Sequence, residues 1–368
     1  MSAEEIPEEV GIDPSEPPWT VLVVGTGLIG TSVALAVRRR GATVHLVDRD
    51  PAVARTAAEL GAGVEGWPAS DPDVVVVGAP PAAVGSVVAD VQRRYPSSVV
   101  TDLASVKVAP QRDVVAADGD PSRFVGGHPL AGRERSGPQA GRGDLFEGRP
   151  WVLTPSPETS ADAIDVVRAL VEACDAVPVV MSPAAHDDAV ALISHVPHLV
   201  AAATAARLDG APAESVALSG QGIRDITRVA ASDPDLWVEI LGANASPVTS
   251  VLRELREDLD TVITALEAGD EGTVRALLVH GNEGRAAIPG KHGGSAERYV
   301  TVTVVIQDTA GELGRLFAAA GEANVNIEDV TIEHSPGQPV GLVELAVGPG
   351  GAATLISALR AGGWTVQD

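Results

Sequence analysis

The chain has 368 residues, enough for two or three domains with a core in each. Hydrophobic residues make up 45% and aromatics only 3%, which excludes a disordered chain and leaves Val, Ala, Leu and Ile to build the interior. A formal net charge of −24 argues against nucleic acid or an anionic membrane surface, and the single cysteine, Cys174, excludes a disulfide framework and fits a reducing cytoplasm.

Residues 1–18 are acidic and Pro-rich with no apolar signal core, and are expected to form a disordered leader. Residues 20–25, TVLVVG, are continuous and β-branched and predict a buried parallel strand. Gly25, Gly27 and Gly30 follow in GxGxxG spacing, then an amphipathic run to Arg40 that Gly41 stops. A second strand, TVHLVD, ends in Asp48, about 20 residues past the turn, as the dinucleotide fingerprint requires. The first glycine allows the tight turn, the second lets the backbone approach a pyrophosphate, and the third lets helix pack on strand. Leu28 and Ile29 lie within this turn and should face the cofactor. Asp48 should accept from the adenosine ribose hydroxyls, favouring NAD over NADP, and the adjacent Arg49 softens that preference. A phosphate-free structural turn is the alternative.

The α/β alternation continues. DVVVVGAPP (73–81) predicts a strand whose exit, with Ala79 and Pro80, should line the cofactor crevice. SSVVTDLAS (97–105), PWVLTP (150–155) and VPVVMS (177–182) predict further strands, with a helix over about 158–174. Residues 101–137 read as a polar loop region presenting His128 between glycines. Ligands bind where the strands of such a sheet end, so Ser105 and His128 are expected near the nicotinamide.

After Pro183 the pattern turns helical. A long helix over 186–208 should be kinked at Pro197. It places His195 and His198 three apart on one face, and with no nearby Cys or carboxylate to complete a ligand set, no metal is expected. Helical patterns continue through 213, 219–241, 246–268 and on to 287, and such a segment is expected to bury an apolar face in a second copy, giving a homodimer. No run approaches the roughly 20 apolar residues of a membrane span. Residues 289–297 are a linker by composition. The tail from 298 to 368 has its own rhythm, βαββαβ, the ferredoxin-like order.

Four segments, GTGLIG, TDLASVK, GGHPLAGRERSG, and the pair ISHVPHLVA with GIRDITRVAASDPDLW, make the chain resemble the prephenate and arogenate dehydrogenases. The tail resembles an ACT domain through DTAGELGRLFAAAGEANVNIEDV. The resemblance implies an α/β protein: a Rossmann-type dinucleotide-binding domain over 19–182, an all-helical substrate and dimerisation domain over 183–288, and a C-terminal ACT domain over 298–368. It implies NAD-dependent oxidative decarboxylation of prephenate to 4-hydroxyphenylpyruvate in tyrosine biosynthesis. The alternatives are arogenate as substrate, giving tyrosine, and a non-catalytic amino-acid sensor.

By this resemblance His128 is the base for the ring hydroxyl, and Ser105 holds base and substrate, a helix N-cap being its other reading. Arg228 clamps a substrate carboxylate, unless it is a helix-surface ion pair. His198 and His195 line the entrance, with a core or dimer contact open for His195. Glu134 and Asp225 form a gating ion network, unless they are ordinary surface charge, and Trp237 is a contact or core residue. In the tail, Asp308, Gly311, Leu313, Asn326 and Ile327 match the loop and strand that bind an amino acid, tyrosine here. A module that dimerises without ligand is the alternative.

Overall fold

The computed structural model describes residues 19–132, 136–288, 299–334 and 340–367. The expected leader and linker, Glu134, and the neighbouring Arg133 fall outside the described residues. Two compact units make up the chain: Met1–Ala203 with Val229–Arg253, and Thr204–Arg228 with Glu254–Asp368.

The first unit is built on an eight-stranded sheet. In chain order its elements are β1 (Thr20–Val24), α1 (Leu28–Arg39), β2 (Thr43–Val47), α2 (Pro51–Glu59), β3 (Val64–Glu65), β4 (Val74–Val77), α3 (Pro81–Arg94), β5 (Val99–Asp102), α4 (Val108–Ala116), β6 (Phe124–Pro129), β7 (Pro150–Pro155), α5 (Ala161–Ala173) and β8 (Val177–Val180). The strand order is β3-β2-β1-β4-β5-β6-β7-β8, all parallel except where β7 runs against β6. The four consecutive valines of β4 are fully buried, each worth about 1.5–3 kcal/mol of apolar transfer, because helices cover both faces of a parallel sheet. Side-chain alternation divides the core. Val21, Val23, Val44 and Leu46 pack with Val33 and Val37 of α1 and Val167 and Leu170 of α5. Leu22, Val75, Val77 and Val100 pack with Val84 and Val88 of α3 and Val114 of α4. Local chemistry sets the helix starts: Asp50 caps α2, and Ser160 caps α5.

Two expectations are corrected here. His128 lies on strand β6, paired with Val152 of β7, and not in a loop. The glycines beside it hid the strand, yet they are there for close packing. A Cβ on Gly126 would stand 2.4 Å from Thr154 Oγ1, and one on Gly127 2.6 Å from the Asp102 carbonyl. The long helix begins earlier than expected, as α6 (Pro183–Val190), capped by Ser182. It is not simply bent at Pro197: a π-helical turn, Ala191–His195, precedes α7 (Val196–Ala205). Pro197 has no N–H to give, and a widened turn just ahead accommodates it.

Next come α8 (Ala213–Ala217), α9 (Gln221–Thr227), a 3-10 turn at Arg228–Ala230, α10 (Pro234–Ala243), α11 (Ala245–Ala268) and α12 (Glu271–Ala286). Within 219–241 the helical pattern divides into α9 and α10, because Asp233 caps α10 and Pro234 opens it. The tail, in the second unit, holds β9 (Val300–Gln307), α13 (Glu312–Glu322), β10 (Ile327–His334), β11 (Val340–Val347), α14 (Pro349–Ala361) and β12 (Thr365–Gln367). These strands form an antiparallel sheet, β10-β11-β9-β12, over a core of Val302, Val304, Leu316, Leu345, Leu355 and Leu359. That is the ferredoxin-like arrangement.

Candidate active site

The dinucleotide turn has the required form. Gly25 has φ +98°, and a Cβ there would meet the Gly78 carbonyl at 2.3 Å. A Cβ on Gly30 would meet the Gly25 carbonyl at 2.0 Å, so helix α1 packs directly on the turn. A Cβ on Gly27 would meet nothing, which leaves an open cradle at the start of α1, with Leu28 and Ile29 its first residues. Asp48 Oδ2 accepts from the Thr26 amide at 2.7 Å and its hydroxyl at 3.2 Å, which ties the turn to the end of β2. Among the described residues Oδ1 accepts only the Asp50 amide, at 3.0 Å, and retains capacity for a ribose hydroxyl. Arg49 is exposed beside it. Ala79 and Pro80 follow β4, with Pro80 at the N-cap of α3. These residues fit a bound dinucleotide.

Because β1, β4, β5 and β6 are parallel, the glycine turn, Ala79–Pro80, Ser105 and His128 all sit at the carboxyl edge of one sheet. His128 Nδ1 lies 2.8 Å from His186 Nε2, the rings edge to face with centroids 5.0 Å apart. His186 Nδ1 lies 2.8 Å from Asp187 Oδ1. The Asp187 carboxylate also accepts the Lys107 amide at 2.8 Å and the Val108 amide at 2.9 Å. Asp187 thus caps α4, the role open for Ser105, which stands in the turn just ahead.

Behind His128 lies a fully buried ion pair. Lys107 Nζ donates to Asp102 Oδ2 and, at 2.6 Å, to the Gly127 carbonyl, while Asp102 Oδ1 accepts the Gly127 amide at 3.0 Å. Both backbone polar groups of Gly127, the residue before His128, are therefore held by one pair. Burial lowers the Lys107 ammonium from its ordinary range, with Asp102 opposing. Burial also holds His128 well below the usual histidine range, and His186, Lys107 and His195 push the same way. The imidazole is neutral near pH 7.

His195 and His198 gather around Trp237. His198 stacks on the indole at 3.5 Å between centroids and 10° between planes, and its Nε2 lies 3.0 Å from Ser232 Oγ. His195 meets Trp237 edge-on at 6.1 Å. Asn244, just before α11, donates from Nδ2 to the Asp187 carbonyl at 2.8 Å and lies 3.0 Å from His195 Nδ1. Burial lowers both histidines, with Asp187 opposing at His195. The structure thus brings His128, His186, Asp187, His195, His198, Trp237 and Asn244 into one polar cluster.

Arg228 and Asp225 belong to the second unit. Arg228 opens the 3-10 turn after α9, and Asp225 accepts from Gln221 Nε2 at 2.7 Å, one helical turn away. In the tail, Asp308 and Gly311 (φ +95°) lie between β9 and α13, Leu313 lies in the first turn of α13, and Asn326 and Ile327 lie at the start of β10. Asn326 donates to Glu328.

Sequence reasoning assigned no role to His186, Asp187 or Asn244. Regular helical spacing sets His186 and His195, nine residues apart, about 180° from each other, and the π-helical turn reduces that angle by about 100°.

A profile described as "Prephenate dehydrogenase, nucleotide-binding domain" matches residues 33–180, and one described as "Prephenate dehydrogenase, dimerization domain" matches residues 182–280. The chain is 37% identical over 360 residues to a Streptomyces niveus protein named "Probable prephenate dehydrogenase NovF", covering 95% of this chain and 99% of that one. It is 32% identical over 285 residues to the cyclohexadienyl dehydrogenase of Zymomonas mobilis, covering 74% and 97%. Prephenate dehydrogenase from Aquifex aeolicus, solved in complex with hydroxyphenyl propionate and NAD+, is similar at TM-score 0.66 and 29% identity, covering 74% of this chain and 99% of that one. Synechocystis arogenate dehydrogenase is similar at TM-score 0.63 and 29% identity, covering 72% and 98%.

Proposed function

The chain belongs to the prephenate dehydrogenase family, and from that premise we propose that it converts prephenate to 4-hydroxyphenylpyruvate with NAD. The observation that carries this reading is the neutral His128 at the carboxyl edge of a dinucleotide-binding sheet. Gly25, Gly27 and Gly30 would hold NAD, which would supply the acceptor for the hydride of the ring's carbinol carbon. His128 Nε2 takes the ring-hydroxyl proton, a step worth about 10²–10⁴ in rate. The carbon–carboxylate bond breaks, CO₂ leaves, and its electron pair makes the ring aromatic. The proton then returns from His128 to the ring oxygen, giving the phenol. Ser105 orients base and substrate, Arg228 holds a carboxylate in a bidentate fork, and His198 and His195 shape the entrance with Trp237. Glu134 and Asp225 supply charge around the pocket. Arogenate is the second reading, since the arogenate and prephenate dehydrogenases of known structure are equally identical to this chain.

The domains run 19–182 for NAD, 183–288 for substrate and dimerisation, and 298–368 for an ACT module. The helical segment leaves Leu192, Ile193, Leu218, Val238 and Leu278 between 60% and 87% exposed, which supports a homodimer. Contrary to the sequence expectation of no run of spanning length, Pro183–Ala205 is long and apolar enough to cross a membrane, but it carries Asp187 and Asp188 with His186, His195 and His198, and we place the enzyme in the cytoplasm. Tyrosine acts as feedback inhibitor at Asp308, Gly311, Leu313, Asn326 and Ile327. Reduced-nicotinamide absorbance with prephenate and arogenate, NAD and NADP, with and without tyrosine, tests the reading. Silence with both substrates would sink it.

A further inference from the structure

We propose that Asp187 is a positioning residue that acts through His186 to fix the tautomer of His128, leaving the lone pair of the base on Nε2. The proposal rests on the reading of His128 as the base. Donor and acceptor counting decides it. The Asp187 carboxylate receives two backbone amides, from Lys107 at 2.8 Å and Val108 at 2.9 Å, and it can only accept. The 2.8 Å contact with His186 Nδ1 is therefore a bond that His186 donates. A neutral imidazole has one N–H, so His186 Nε2 is bare. The 2.8 Å contact between that nitrogen and His128 Nδ1 then needs the His128 proton. His128 is held as the Nδ1–H tautomer, with Nε2 free to receive a proton.

The charged and titratable groups facing this chain are Asp187 from α6, Lys107 with its partner Asp102 beside β6, and His195 from the π-helical turn. When His128 accepts the ring-hydroxyl proton on Nε2, the positive charge is balanced through His186 by the carboxylate of Asp187. The carboxylate itself is fixed to the start of α4, so it cannot follow the proton. The sequence gives one side chain two tasks: it ends a helix in the nucleotide-binding fold and orients the base beside it.

Asp187→Ala tests this in the full-length protein. Asp187 Oδ1 receives both the Lys107 amide and His186 Nδ1, so removing the carboxylate takes away the acceptor that holds His186 as Nδ1–H and, through it, His128. Two-bond proton–nitrogen NMR of protein labelled with ¹⁵N-histidine reads which nitrogen carries the proton, and H128Q and H186Q assign the signals by their loss. The unmodified protein should show both residues as Nδ1–H. D187A should show neither residue confined to Nδ1–H, with kcat lower by about 10²–10⁴ and NAD affinity unchanged. A wild-type His128 carrying its proton on Nε2, a doubly protonated His186, or unchanged tautomers in D187A would overturn the proposal. The expected wild-type pattern in a protein that turns over neither prephenate nor arogenate would support the relay and sink the proposed function instead.

Discussion

Lys107→Met isolates the buried pair beneath the base. Lys107 and Asp102 are both 0% exposed. With the ammonium gone, Asp102 keeps the Gly127 and Ala104 amides, each at 3.0 Å, but has no counter-charge, and the Gly127 carbonyl loses its 2.6 Å donor. Breaking one side of such a pair costs about 3–5 kcal/mol, and the two remaining amides favour the lower end. At about 2–4 °C per kcal/mol, the unfolding midpoint should fall by about 6–12 °C. Calorimetry at pH 7 reads it, and the double variant K107M with D102L should recover most of the loss because it leaves no orphaned charge. An unchanged midpoint in K107M, or a double variant no better than the single, would refute the role given to this pair.

His128→Asn should lower turnover by about 10²–10⁴ with NAD binding retained, measured by single-turnover kinetics and titration. Because His128 is held well below the histidine range, the acidic limb of kcat/KM should lie below about pH 6.5. Stability should also fall as pH drops through that window, since the unfolded histidine binds a proton that the folded one refuses, and H128N should flatten the fall. A limb at or above pH 6.5 would count against a neutral, buried base. Arg228→Ala should mainly raise the Michaelis constant for prephenate, and an unchanged constant would remove the clamp. Truncation after Pro289 should leave turnover and abolish tyrosine inhibition, and inhibition surviving in the shortened protein would move the tyrosine site into the catalytic portion.

The parallel sheet was legible because its strands are short, β-branched and punctuated by turns, as in VVVV over 74–77, and because Gly25, Gly27, Gly30 and Asp48 keep a spacing with one mechanical meaning. The tail was legible for the same reason, through alternating patterns such as VTVTVVI. What escaped has physical causes. Gly126 and Gly127 lower strand propensity, yet the space between Thr154, Asp102 and Trp151 admits nothing larger, so packing overrode propensity at β6. His186 and Asp187 look like surface residues at the head of a helix, and only tertiary contact with α4 and β6 shows that they are buried. Asn244 lies 49 residues from His195, and its role depends on a helix crossing that no local pattern encodes.

The two glycines of β6 have one more consequence. A side chain would begin 2.4 Å from the Thr154 hydroxyl at Gly126 and 2.6 Å from the Asp102 backbone carbonyl at Gly127, so the strand would have to retreat by about 1 Å to restore ordinary contact. A shift of that size is enough to slow a positioned reaction by about a hundredfold. Two positions that carry no functional group at all therefore govern rate. An alanine scan of this protein that skipped glycines would miss them.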